Sequence, residues 1–235
     1  MEKIFQILIL LILVSTEVNS QQFSLGVQLG TGTYSMSDLK TINDITTNNL
    51  PFNTKTVANF PPFINYSASF LFTAGKVCTG LTYTFLSTGS RVSGKDYSGE
   101  YRFDMLINSS APGICAAIDL LQKGKIRYSF YTTTGVMFSI LEIKEYLQVM
   151  ETTLKDETLK FRSFNLFTEP GFKITYPFKF LDIGINAGYA FQYYNRLFRY
   201  KENKELYLAN PSSGNPVKPG WNGFRAGLSV VYTFK

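Results

Sequence analysis

Residues 223–235 read Gly-Phe-Arg-Ala-Gly-Leu-Ser-Val-Val-Tyr-Thr-Phe-Lys, with Phe224, Ala226, Leu228, Val230, Tyr232 and Phe234 at every second position. A period of two marks a strand with two chemically different faces. The opposite face is the constraining feature: Gly223, Arg225, Gly227, Ser229, Val231 and Thr233 are small or hydroxylated, with one charge. A face meant for water would carry Lys and Glu, and glycine weakens a strand unless something must approach closely. Such a face reads as the crowded inside of a narrow barrel. The apolar face then looks outward, into lipid.

The pattern recurs. Phe23, Leu25, Val27 and Leu29 alternate with Ser24, Gly26, Gln28 and Gly30, and the same period runs through Ile64–Phe72 and Val77–Phe85. From Ile126 to Ile140 an apolar and threonine face opposes Arg127, Ser129, Tyr131, Thr133, Gly135 and Met137; from Leu181 to Tyr193 an apolar face opposes Asp182, Gly184, Asn186 and Gly188. Phe164, Leu166, Phe172, Ile174 and Tyr176 form a further strand, predicted to break at Pro170. One segment changes phase: Tyr101, Phe103, Met105 and Ile107 are odd, whereas Ile114, Ala116, Ile118 and Leu120 are even. That predicts a bulge or break within 108–113, in what still counts as one strand. Two strands there would make nine, an odd number that fits a bacterial barrel poorly.

Three connections are tight, at 73–76, 122–125 and 177–180; four are long, at 35–62, 87–98, 142–160 and 194–220. Alternating short turns and long loops characterise transmembrane barrels. The expected fold is all-β: an eight-stranded antiparallel up-and-down transmembrane β-barrel with short periplasmic turns and long extracellular loops, ten strands being the alternative.

The start of the chain agrees. Lys3, the apolar run Ile4–Val14 and the small residues closing at Ser20 predict a signal peptide over 1–20, cleaved between Ser20 and Gln21, with the barrel domain over 21–235. The run is too short to cross roughly 30 Å of hydrocarbon, and no later apolar stretch reaches about 18 residues. Only a closed barrel could then span a membrane. Losing Glu2, Glu17 and Lys3 removes two negative charges and one positive, taking the net charge from +6 to +7. The basic residues are scattered, so no nucleic-acid partner is expected. Cys78 and Cys115 are too few for a disulfide scaffold and could pair only if adjacent strands bring them level.

Six charged residues fall on the inward faces: Asp119, Arg127, Glu169, Lys173, Asp182 and Arg225. Three acids and three bases in an eight-strand lumen predict a salt-bridged plug rather than a gated ion path. Trp221 and the tyrosines are expected at the membrane interfaces. The sequence contains no histidine, which removes His-based triads and the common zinc sites; no catalytic residue, cofactor or metal is expected. The carboxylates Asp96, Glu100, Glu151, Asp156 and Glu157 are expected to be solvated loop charge. Gly30-Thr31-Gly32 lacks the third glycine and the Lys-Ser/Thr of a phosphate loop, and is assigned to the lumen. The last long loop mixes Arg196, Arg199, Lys201, Lys204 and Lys218 with Phe198, Tyr200 and Tyr207; a solvated loop with no partner is the first expectation, and the composition also suits lipopolysaccharide phosphates or glycans.

On these residues the mature chain resembles the small outer-membrane β-barrel proteins of Gram-negative bacteria, the OmpA/OmpX-type barrels and the porin-family barrels often labelled PorT-like. Leu228, Val230, Tyr232 and Phe234 are similar to the terminal signal such proteins present to the barrel assembly machinery, although Lys235 follows where the family usually ends on the aromatic. The resemblance implies a cell outer-membrane location, with outer-membrane lipid, lipopolysaccharide and the assembly machinery as partners; a monomer is expected. The leading expectation is a non-enzymatic barrel with a filled lumen and a role in envelope structure or surface interaction. The alternatives are a narrow channel or hydrophobic-ligand conduit, and a component of a secretion machine.

Overall fold

A computed structural model describes residues 21–49, 55–95, 97, 99–150 and 152–234. The signal peptide with Ser20, Asp96, Glu151 and Lys235 lies outside them. The described elements are β1 (Gln21–Gly32), α1 (Ser37–Asn49), β2 (Lys55–Asn59), β3 (Phe63–Ala74), β4 (Val77–Lys95), β5 (Gly99–Lys123), β6 (Ile126–Val149), β7 (Thr152–Phe178), β8 (Leu181–Asn195), β9 (Arg199–Tyr200) and β10 (Gly223–Thr233). β1, β3, β4, β5, β6, β7, β8 and β10 form an antiparallel ring that closes where β10 pairs β1, Val230 opposite Val27. The eight-strand expectation holds. The two extra strands are short: β2 continues the edge of β4 beyond β3, and β9 continues that of β7 beyond β8.

Both described termini lie on the side of the short turns. Gly75 and Gly124 take positive φ at the first turn position, where a two-residue hairpin needs a residue free of a Cβ clash, and Lys179 takes the same conformation in the third turn. Strands leave this side with unequal lengths. β1, β3 and β10 have 12, 12 and 11 residues, whereas β5, β6 and β7 have 25, 24 and 27. The barrel therefore carries a four-stranded blade, β4 to β7, that stands well above its other wall.

The blade explains the phase change in β5. Tyr101, Phe103, Met105, Ile107 and Ala111 point inward and are buried, while Ile114, Ile118 and Leu120 point outward and are exposed. Pairing with β4 is unbroken from Val77↔Ile118 to Lys95↔Glu100, so the predicted bulge within 108–113 is absent. The strand keeps its parity, and its surroundings invert. Below, its outside meets lipid; above, its inside meets an apolar core and its outside carries Arg102 and Asp104. β7 likewise runs straight through Pro170, where the predicted break is absent and the ladder to β8 only skips Glu169 and Pro170.

Two of the four expected long loops are thus mostly strand: β4 continues to Lys95, and β6 and β7 occupy nearly all of 142–160. The other two cover the blade. α1 turns Leu39 and Ile42, one helical turn apart, onto it, and Asn43 Nδ2 donates to Asn59 Oδ1 at 3.0 Å. Asp38 sits in the first turn, favourable toward the helix dipole, and its Oδ2 accepts the Lys218 amide at 3.0 Å, joining helix to last loop. Trp221, expected at a membrane interface, is instead fully buried: its Nε1 donates to Ser139 Oγ at 2.9 Å and its ring meets Tyr34 edge-on at 4.9 Å. Around it pack Met36, Phe60, Met137, Leu141, Phe167, Phe198 and Val217.

Candidate functional site

The lumen is built from the inward faces below this core. All six predicted charges point into it. Arg225 on β10 donates from Nη1 to Glu169 Oε2 on β7 at 2.7 Å, both side chains nearly inaccessible, and Tyr131 OH donates to Glu169 Oε1 at 3.1 Å. Gly171 and Gly188 make this possible: a Cβ at either would meet the Tyr131 ring or hydroxyl within 2.6 Å. The small-residue face seen in the sequence is therefore space kept for larger lumen side chains.

Nearer the turns, Arg127 hydrogen-bonds Asp182 and lies 4.0 Å from Asp119, which also accepts from Ser129 Oγ at 2.6 Å. Lys173 forms no ion pair with any described residue; it lines a cavity of about 130 Å³ together with Gln28, Asn65, Asn186 and Arg225. The structure thus brings together five of the six charges as two clusters, and leaves Lys173 between them. These pairs link strands one or two places apart in the ring, β10 to β7, β6 to β8 and β5 to β6, and do not close the barrel on the loop side. Closure comes from Phe167, which roofs the cavity 5.9 Å from the Arg225 guanidinium, and from the apolar core above it. Sequence reasoning missed that closure because many of the residues forming it, Met36, Phe60, Phe198, Val217 and Trp221 among them, were assigned to long loops or a membrane interface. Alternating apolar residues at 101–107, opposite in parity to 114–120, were its visible signal.

Cys78 and Cys115 also line the cavity, on neighbouring strands, but their partners are Ala117 and Gly80, so they are offset by two residues and remain free thiols. Leu228, Val230, Tyr232 and Phe234 all point outward, on the strand that closes the ring and just after it. Gly30 and Gly32 lie on the inward face of β1. Asp156 and Glu157 belong to β7 rather than a loop, and Lys155 reaches both Glu145 and Glu157. Of the basic last loop, Phe198 is buried in the core and Lys218 sits beside α1. Arg196, Arg199, Lys201 and Lys204 converge instead on the outer wall, where Arg162 of β7 joins them.

Phe23, Leu25, Val27, Leu29, Phe70, Leu81, Ile114, Phe172, Ile185 and Leu228 belong to a continuous exposed apolar belt around the ring, far beyond what a water-soluble surface carries. A closed ring of eight antiparallel strands with an apolar outside and a polar, charged inside defines an integral outer-membrane β-barrel. No protein-family model matches the sequence, and no curated protein sequence is significantly similar to it. Among solved structures, the chain is similar to a major outer membrane protein from Thermus thermophilus, with a TM-score of 0.53 and 13% identity over 92% of this chain and all of that one. Lower-scoring similarities are to Ail, the attachment invasion locus protein of Yersinia pestis (TM-score 0.42, 10% identity, covering 91% and 97%), and to Neisserial surface protein A (TM-score 0.39, 8% identity, covering 92% and 100%).

Proposed function

We propose that this chain is a non-enzymatic outer-membrane protein whose barrel is closed to solutes and whose work, in envelope structure or surface interaction, is done by its loop-side blade. One observation carries the reading: above Glu169 and Arg225 the interior is packed with Phe167, Met137 and Trp221, all essentially inaccessible to solvent. An eight-strand barrel is narrow enough for side chains to fill. A polar passage would need water or polar groups where these rings stand.

The purified protein in planar bilayers is expected to give no steady conductance. Stepwise openings of the wild-type chain would overturn the closed-barrel reading. The variant Phe167→Ala/Trp221→Ala, which empties the roof, provides the positive control. It is expected to show flickering openings that the wild type lacks.

A further inference from the structure

We propose that Arg162, Arg196, Arg199, Lys201 and Lys204 form a docking site for the phosphate groups of an acidic glycolipid in the outer leaflet. The inference rests on the chain being a membrane barrel with its loop side outward. The five side chains line one recess on the outer wall, about 260 Å³ in volume, together with Phe138, Phe164, Leu197 and Tyr200. No carboxylate of the described residues lines it. Elsewhere on the outer surface of the blade, cations are neutralised: Arg91 by Asp104, Arg102 by Glu100, and Lys144 and Lys160 by Glu142, whose carboxyl the Lys160 hydrogen bond holds below its ordinary range. None of the five has such a partner among the described residues.

The register makes the excess charge sharper. β9 places Arg199 directly opposite Arg162, with both side chains exposed. Like charges directly opposite on a sheet repel, and a bridging dianion would relieve that repulsion. Arg196 is held over the rings of Phe164 and Tyr194 at 5.6 and 5.8 Å, and its Nε donates to Tyr194 OH at 3.1 Å. Its terminal nitrogens make no hydrogen bond to the described residues.

Height selects the occupant. On β7 the outward residues run Phe172, Pro170, Thr168, Leu166, Phe164 and then Arg162. Arg162 therefore stands one residue pair, roughly 7 Å of strand, above the last lipid-facing aromatic. This is where a lipid's phosphates meet its acyl chains. Arginine forks match phosphate oxygens in pairs, and the apolar floor of Phe138, Phe164 and Leu197 suits the chains below. A soluble phosphate would have no use for that floor.

The test uses the full mature protein in phosphatidylcholine nanodiscs containing a radiolabelled diphosphorylated, acylated glucosamine disaccharide or its dephosphorylated form. Wild type is expected to retain the phosphorylated lipid at least about tenfold more tightly. The variant Arg162→Gln/Arg196→Gln/Arg199→Gln should lose most of that preference, while Arg91→Gln/Arg102→Gln/Lys144→Gln, with the same loss of charge, should keep it. Equal retention by the first variant, or equal loss in the second, would overturn the proposal. Complete displacement by millimolar inorganic phosphate would overturn the lipid assignment. Should the triple variant fail to fold, Arg162→Gln and Arg199→Gln singly are each expected to show a partial loss, and no loss in either would count against the site. A barrel that is membrane-embedded and silent in bilayers yet shows no lipid preference would sink this inference alone.

Discussion

Leu228 and Ser229 are neighbours with opposite fates. Leu228 is 61% exposed on the lipid face, whereas Ser229 is 5% exposed and lines the lumen cavity. Leu228→Arg puts a charge into hydrocarbon at a cost of about 2–4 kcal/mol near midplane. Ser229→Arg adds one to a polar cavity. Urea unfolding in lipid vesicles is expected to show the larger loss for Leu228→Arg, and equal losses would contradict the assignment of faces. On the inner wall, Glu169→Ala leaves the buried Arg225 guanidinium without its carboxylate and should cost about 3–5 kcal/mol, against far less for Glu169→Met/Arg225→Met, which removes both charges. The same unfolding measurement separates the two. The inward position of all six charges was legible in the sequence because strand parity alone decides it. Their partners were not. Parity cannot say that Arg225 meets Glu169 over the intervening strand β8, or that Lys173 falls between the clusters.

β4 to β7 each pass through two environments as continuous strands. Period-two patterning reports which residues share a face, but says nothing about whether that face meets lipid, water or a core. In β5 the pattern inverted, and a bulge was the local explanation; the actual cause was non-local, since α1 and the last loop cover the blade from outside the strand. Charged outward residues such as Asp104 and Glu142, on strands whose lower outward faces carry no charge, carried the same information. α1 itself was hidden by its weak amphipathicity, with Leu39 and Ile42 its two deeply buried apolar residues. Its role gives a prediction confined to this end of the molecule. Leu39→Asp should loosen the cover, so that the 35–62 segment is cleaved by added protease at least several-fold faster, while the membrane-spanning ring stays intact. Limited proteolysis of the reconstituted protein, followed by mass analysis of the protected fragments, measures both.

The whole molecule is a ring with an apolar belt outside and a buried apolar core above the lumen. Strand count, closure and orientation of faces were all readable from the alternation of short turns with long connections and from the small-residue inward faces. The extramembrane core was not, because its residues come from the two long loops near either chain end and from four strands, β4 to β7, that meet only in three dimensions. The folded barrel is expected to migrate differently on gels before and after boiling, and to need detergent throughout purification; a chain that stays dispersed in plain buffer would contradict the membrane assignment. The belt is bounded at both edges. Lys76, Lys125 and Lys179 sit in the three tight turns with Lys123 beside them, and Arg91, Asp104, Glu142 and Arg162 stand where the blade emerges. Sinking by one residue pair would drown the upper charges, and rising by one would strand Phe85, Ile140 and Phe164 in water and draw the turn lysines inward. The molecule therefore floats at a fixed waterline, and whatever its blade meets is met at a constant height above the cell surface.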